Sequence, residues 1–118
     1  MTQLSAGAFR PVAPGTAIAD NSVVPFYLND RKTYLNDRKT RVSVARVDGR
    51  LYAFDDLCTC GQPSCPLSGG LLTGRTVLCQ CHGSRFDITT GAVLKGPAVH
   101  GLAVYEVQEI DGDVQVRV

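Results

Sequence analysis

The sequence predicts an all-β fold, a sandwich or barrel of short antiparallel strands. Three features carry that expectation. Apolar residues alternate with polar ones or gather in short β-branched runs, two Asp-Gly turns join such runs directly, and twelve glycines punctuate the 118 residues. No stretch keeps a helical period over enough residues to matter.

Taken in order, strand patterns fall at 23–28, 41–47, 51–54, 76–79, 102–107 and 114–118. Between the first two lies a perfect tandem repeat, Tyr27-Leu28-Asn29-Asp30-Arg31-Lys32-Thr33 followed by Tyr34-Leu35-Asn36-Asp37-Arg38-Lys39-Thr40. Its odd length would send equivalent residues to opposite faces of one continuous strand, so a turn must absorb one copy. The Asn-Asp pairs supply suitable turn chemistry, and residues 27–40 are expected to form an exposed, lengthened hairpin. The alternative is a basic docking loop using Arg31, Lys32, Arg38 and Lys39. Farther on, Val47-Asp48-Gly49-Arg50 and Ile110-Asp111-Gly112-Asp113 predict tight hairpins with positive φ at the centre.

The length suits one domain covering residues 1–118, and 44% hydrophobic residues allow a real core. A formal charge of +1 offers no general attraction for nucleic acid or an anionic membrane. The first residues lack the pattern of a secretory signal, and no apolar run approaches the roughly 20 residues needed to span a bilayer. A cytoplasmic location is therefore expected, where structural disulfides are uncommon.

That expectation bears on the five cysteines, which all lie with His82 in two segments, "LCTCGQPSCP" from Leu57 and "LCQCHGSRFD" from Leu78. Cys58-x-Cys60 and Cys79-x-x-His82 supply four ligand side chains on two loops. Thiolates and a neutral imidazole suit zinc or an iron-sulfur cluster rather than calcium or magnesium. On spacing alone, a closed zinc site of three Cys and one His is the simpler reading. His100, the other histidine, reads as an exposed edge residue. With His82 committed to metal, no Ser-His-Asp or Cys-His pair is visible for nucleophilic catalysis.

The run "CPLSGGLLTGRTVLCQCHGSRFDITTGAVLKGPA", from Cys65 to Ala98, resembles the Rieske ferredoxin family, whose pattern is Cys-x-His followed by Cys-x-x-His-Gly. Upstream, "VARVDGRLYAFDDLC" resembles the hairpin that feeds the first cluster loop. The likeness spans about residues 44–107. It implies a Rieske-like antiparallel β fold with a small cluster-binding subdomain of two loops, within about 56–98. It further implies a [2Fe-2S] cluster and a one-electron carrier rather than an enzyme, supplied by a reductase and supplying an oxygenase-type partner. A terminal oxygenase is excluded because its mononuclear iron needs further histidines, and only His100 is to spare.

Where the family has its first His, this chain has Cys60, and the next family cysteine arrives two residues late, at Cys65. Cys60 occupies the matching position without remodelling, so the implied ligands are Cys58, Cys60, Cys79 and His82. The alternative is that the longer loop swings Cys65 into the slot. Two ferric ions and two sulfides leave two positive charges, so three thiolates give a negative oxidised centre where the usual two give a neutral one. The potential is then expected below the Rieske window of about −150 to +300 mV. The resemblance also places Gly83 and Ser84 beside the cluster, with the Ser84 hydroxyl able to donate to a sulfur, and Pro97 in a loop that covers it. Phe86 stands where high-potential relatives have Tyr and cannot donate. Cys65 and Cys81 match positions that carry a disulfide between the loops; the alternative is two buried thiols. Two other readings remain, the zinc module and a cluster-less docking subunit.

Overall fold

The computed structural model describes residues 9–29, 39–59, 65–81 and 83–117. Their strands are β1 (Phe9–Pro14), β2 (Ser22–Asn29), β3 (Lys39–Val47), β4 (Arg50–Asp55), β5 (Leu71–Thr73), β6 (Thr76–Leu78), β7 (Arg85–Asp87), β8 (Val93–Lys95), β9 (Val104–Ile110) and β10 (Asp113–Arg117). They form a six-stranded sheet in the order β1-β10-β9-β4-β3-β2 and a four-stranded sheet in the order β5-β6-β7-β8, with every pairing antiparallel. No helix of the described residues is long and apolar enough to cross a membrane.

Both Asp-Gly turns make the tight hairpins expected of them. Asp48 and Gly49 have φ of 53° and 80°, and Asp111 and Gly112 have 52° and 82°. These turns suit the right-handed twist of the strands they join. The arms of the tandem repeat pair as β2 and β3, through Tyr27↔Arg41, Leu28↔Thr40 and Asn29↔Lys39. Residues 30–38 lie outside the described residues, and with them the expected turn and the alternative docking loop.

Strand β3 carries apolar residues on both faces because both are covered. Alternation sends Val42 and Val44 into one core with Ile18, Ala53, Val114 and Val116, inside the curled large sheet. Ala45 and Val47 enter a second core with Phe54, Leu67, Val77, Phe86 and Ile88, where the small sheet packs on the large one. Cys58, Cys65 and Cys79 belong to this second core. The subdomain expected as two loops is thus built on a sheet of its own.

Several strands left little trace in the sequence. β6 falls within the expected 76–79, but β5, β7 and β8 have three residues each, too few to show alternation. β1 contains Pro11 and Pro14, which usually argue against a strand, but it lies at the sheet's edge and pairs on one side only. β2, the other edge, carries Pro25. β9 runs from Val104 to Ile110, later than the expected 102–107, because Leu102 is held by a loop contact, donating its N–H to the Gly91 carbonyl at 2.8 Å.

Asp56, fully buried where β4 ends, joins the large sheet to the first cysteine loop. Its Oδ1 accepts from the Ser43 hydroxyl at 2.5 Å and the Ser68 N–H at 2.8 Å, and its Oδ2 pairs with the Arg41 guanidinium. Its backbone N–H donates to the Arg41 carbonyl at 3.0 Å, and its carbonyl accepts from the Leu67 N–H at 2.5 Å. A buried carboxylate without such partners would cost several kcal/mol.

Asp56→Ala, which strands Arg41 and frees both ends of the loop, should lower stability by about 3 kcal/mol, read from urea denaturation. Gly91 has φ of 83°, and a Cβ there would lie 2.1 Å from the Leu102 carbonyl oxygen, whereas nothing lies within 4 Å of one at Gly49. Gly91→Ala should therefore cost more than about 2 kcal/mol, and Gly49→Ala about 1 kcal/mol, as compared in thermal melts.

Candidate metal centre

Two loops at one end of the second core carry the four described cysteines. The first leaves β4 at Asp56 and returns at Leu67, and its neck is closed by the Leu57↔Pro66 bridge and a Cys58 N–H to Cys65 carbonyl bond of 2.9 Å. The second joins β6 to β7. Its ends meet through the Cys79 N–H to Ser84 carbonyl bond at 2.7 Å, and the Gly83 N–H closes the turn onto the Cys79 carbonyl at 3.0 Å. Gly83 has φ of 80°, a conformation glycine adopts without strain.

A Cys65–Cys81 disulfide joins the loops, with Cα atoms 6.1 Å apart. Cys79 is buried beside it, and the sulfurs of Cys65, Cys79 and Cys81 all lie within 4.8 Å of one another. These three do not make a metal site together, because two are spent in the disulfide and offer no thiolate. Cys58 is also buried, at the root of the first loop. Cys60 and His82 lie outside the described residues.

A third loop, between β8 and β9, covers this end. It contains a cis Gly96-Pro97 bond, with Pro97 exposed and Ala98 buried. The Ala98 N–H donates to the Ser84 Oγ at 3.0 Å, which leaves that hydroxyl's own proton for another acceptor. Thr59 of the first loop donates its hydroxyl to the His100 carbonyl, so His100 acts here through its backbone, with its side chain exposed.

The charge around the loops is set by burial and local hydrogen bonds. Burial raises the Asp55 carboxyl above its ordinary value, with the Leu57 N–H pulling the other way and Asp56 reinforcing the rise. The Asp87 carboxyl is held low, first by the Thr89 hydroxyl, then by the Thr89 N–H, with a smaller contribution from Arg75. A cleft lies elsewhere. β4 and β9 pair only at Ala53↔Tyr105 and Phe54↔Val104, and beyond that they diverge around about 360 Å³ lined by Arg50, Tyr52 and Glu109, at the end of β4 away from the cysteines.

The chemistry of the donors fits an iron-sulfur centre. Two buried cysteine sulfurs outside the disulfide stand on facing loops, one on each, and soft thiolates are the donors such centres require. Sequence reasoning selected the cysteines by residue type but missed Asp56, Ser43 and the Thr59–His100 contact. The one signal for Asp56 is its acidic pair with Asp55, placed just before the first cysteine.

Comparison with known proteins agrees with this architecture. The naphthalene 1,2-dioxygenase system ferredoxin component of Pseudomonas putida is 39% identical over 67 residues, covering 57% of this chain and 62% of that relative, so the chain spans less than two thirds of its length. The Sphingomonas yanoikuyae B1 ferredoxin superimposes with a TM-score of 0.78 at 28% identity, over 94% of this chain and 99% of that one. A chain from a complex of reduced oxygenase and oxidized ferredoxin in carbazole 1,9a-dioxygenase gives 0.73 at 27% identity, over 92% of this chain and 91% of that one. The Rieske [2Fe-2S] domain model matches residues 10–106, a span that takes in the small sheet, both cysteine loops and the large sheet up to the start of β9. The chain belongs to the Rieske [2Fe-2S] domain family.

Proposed function

We propose that this chain is a cytoplasmic electron carrier, a single domain that accepts electrons from a reductase and delivers them to an oxygenase-type partner without itself catalysing a reaction. The observation that carries this reading is the pair of disulfide-joined loops with Cys58 and Cys79 buried on either side. Cys58, Cys60, Cys79 and His82 would hold a [2Fe-2S] cluster, which when bound takes up one electron and gives it back. Support for Cys60 over Cys65 in the unusual position comes from the disulfide, since a bridged sulfur is not a thiolate ligand.

The surrounding residues have separate tasks in this reading. The disulfide and Asp56 fix the separation of the loops, so that a change of charge is met by little reorganisation. Ser84, its oxygen already engaged by Ala98, directs its proton toward a sulfur and eases reduction. Phe86, fully buried in the core, adds no donor. A third thiolate opposes reduction, so the carrier belongs on the low-potential side of its family. The ferredoxin in the carbazole dioxygenase complex supports an oxygenase as the partner.

Anaerobically purified protein should be red-brown, contain about two irons and about two acid-labile sulfides per chain, and become paramagnetic on reduction. A single zinc with no sulfide would overturn the proposal. Cys60→His should shift the potential upward, toward about −150 to +300 mV, and give a more Rieske-like visible spectrum. Cys65→Ser should leave the spectrum unchanged while lowering thermal stability; loss of the cluster in this variant but not in Cys60→Ser would exchange the two assignments.

A further inference from the structure

The four-stranded sheet carries a local arrangement that its own fold does not favour. β7 and β8 pair so that Arg85 stands directly opposite Lys95, both exposed. Like charges in direct cross-strand register are destabilising. Neither residue makes an ion pair among the described residues. Asp87 is the one carboxylate between residues 57 and 98, against three cations in that span, Arg75, Arg85 and Lys95, and it is engaged by Thr89 at 2.8 Å and 2.6 Å with Arg75 nearby.

A second observation concerns the neighbouring residue. The register from Arg85↔Lys95 to Phe86↔Val93 skips Leu94, which is therefore the extra residue of a bulge and is 54% exposed. Bulges re-aim side chains, and this one sets an apolar group beside the two cations. The same cross-strand row continues through Leu78 to Leu71, which is 60% exposed. Arginine and apolar groups together make the composition of a protein-binding surface. The position is also specific, because Arg85 follows Ser84 of the second cysteine loop and Lys95 precedes Gly96-Pro97 of the covering loop.

We infer that Arg85, Lys95 and Leu94 form a docking contact for an acidic protein partner, whose carboxylates settle between the two cations beside the cysteine loops. The inference rests on the electron-carrier reading for its purpose and extends it by naming the partner's charge. An open sheet face has no enclosing wall for a small anion, and so few cations give no track for nucleic acid. A second copy of this chain is a poorer occupant. Among the described residues its Glu106 and Glu109 are already paired with Arg117 and Arg46 at 3.3 Å each, leaving the exposed Asp20, Asp48, Asp111 and Asp113, all at the end of the large sheet away from the cysteines, so that copies could meet only head to tail.

Lys95→Gln separates a docking role from a structural one, because the two predict opposite signs. Relief of the like-charge pair should raise the melting temperature by on the order of 1–4 °C. Binding of a fluorescein-labelled octaglutamate peptide, followed by anisotropy at low ionic strength, should weaken in the same variant. Arg85→Glu with Lys95→Glu should weaken it at least about tenfold, and Arg50→Glu, on the far hairpin, should leave it within about twofold. Equal losses in the Arg50 variant, unchanged binding in the double variant, or a lower melting temperature in Lys95→Gln would overturn the inference. So would a wild-type dimer in sedimentation that the double variant dissolves, since the occupant would then be a second copy. The peptide measurement needs no cluster, so a colourless protein would sink the electron-carrier reading while leaving this test able to decide.

Discussion

The arrangement of the cysteine loops depends on one buried negative charge. Asp56 has no exposed surface, and a carboxylate in that setting persists only if every oxygen is occupied. Its partners come from β3, in Arg41 and Ser43, and from the far end of the loop that Asp56 itself begins, in Leu67 and Ser68. Satisfying the carboxylate therefore folds the loop back on itself and seats it on the large sheet. The cysteines inherit their positions from that closure.

The two cores divide the work. The inner face of the large sheet packs a core around Val42, Val44, Val114 and Val116, with Phe26 and Tyr105 at its margin and no cysteine in it. Its outer face, through Ala45, Val47 and Phe54, supports the small sheet and places the cysteine sulfurs at the boundary between the two. A strand covered on both sides carries apolar residues on both faces, which is why Val42, Val44, Ala45 and Val47 of β3 do not keep a strict alternation. Ser43, the fully buried polar residue among them, is held by Asp56.

What could be read from the sequence follows from the range over which each feature is encoded. The Asp-Gly hairpins were legible because two adjacent residues dictate their φ values, and the cysteines because few other roles explain thiols at such spacing. β6 was read over 76–79 from its β-branched residues, but the other three short strands of the small sheet were illegible. Their three residues carry no period, and the small sheet exists because Val77 and Phe86 pack on a surface contributed by the large sheet. Asp56 was missed for the same reason, since its meaning lies in Ser43 and Ser68, twelve or thirteen residues away. Cys60 and His82 were chosen by residue type and family resemblance, and they stand outside the described residues.

The prolines of the outer strands have a consequence beyond their own segments. A β-sheet that ends in open strands offers unsatisfied backbone groups to any passing chain, and a low net charge does little to keep copies apart. Here one margin lacks amide donors at Pro11 and Pro14 and the other at Pro25. Edge-to-edge polymerisation is thereby discouraged on both flanks. What adhesion the large sheet offers at its margins is left to side chains.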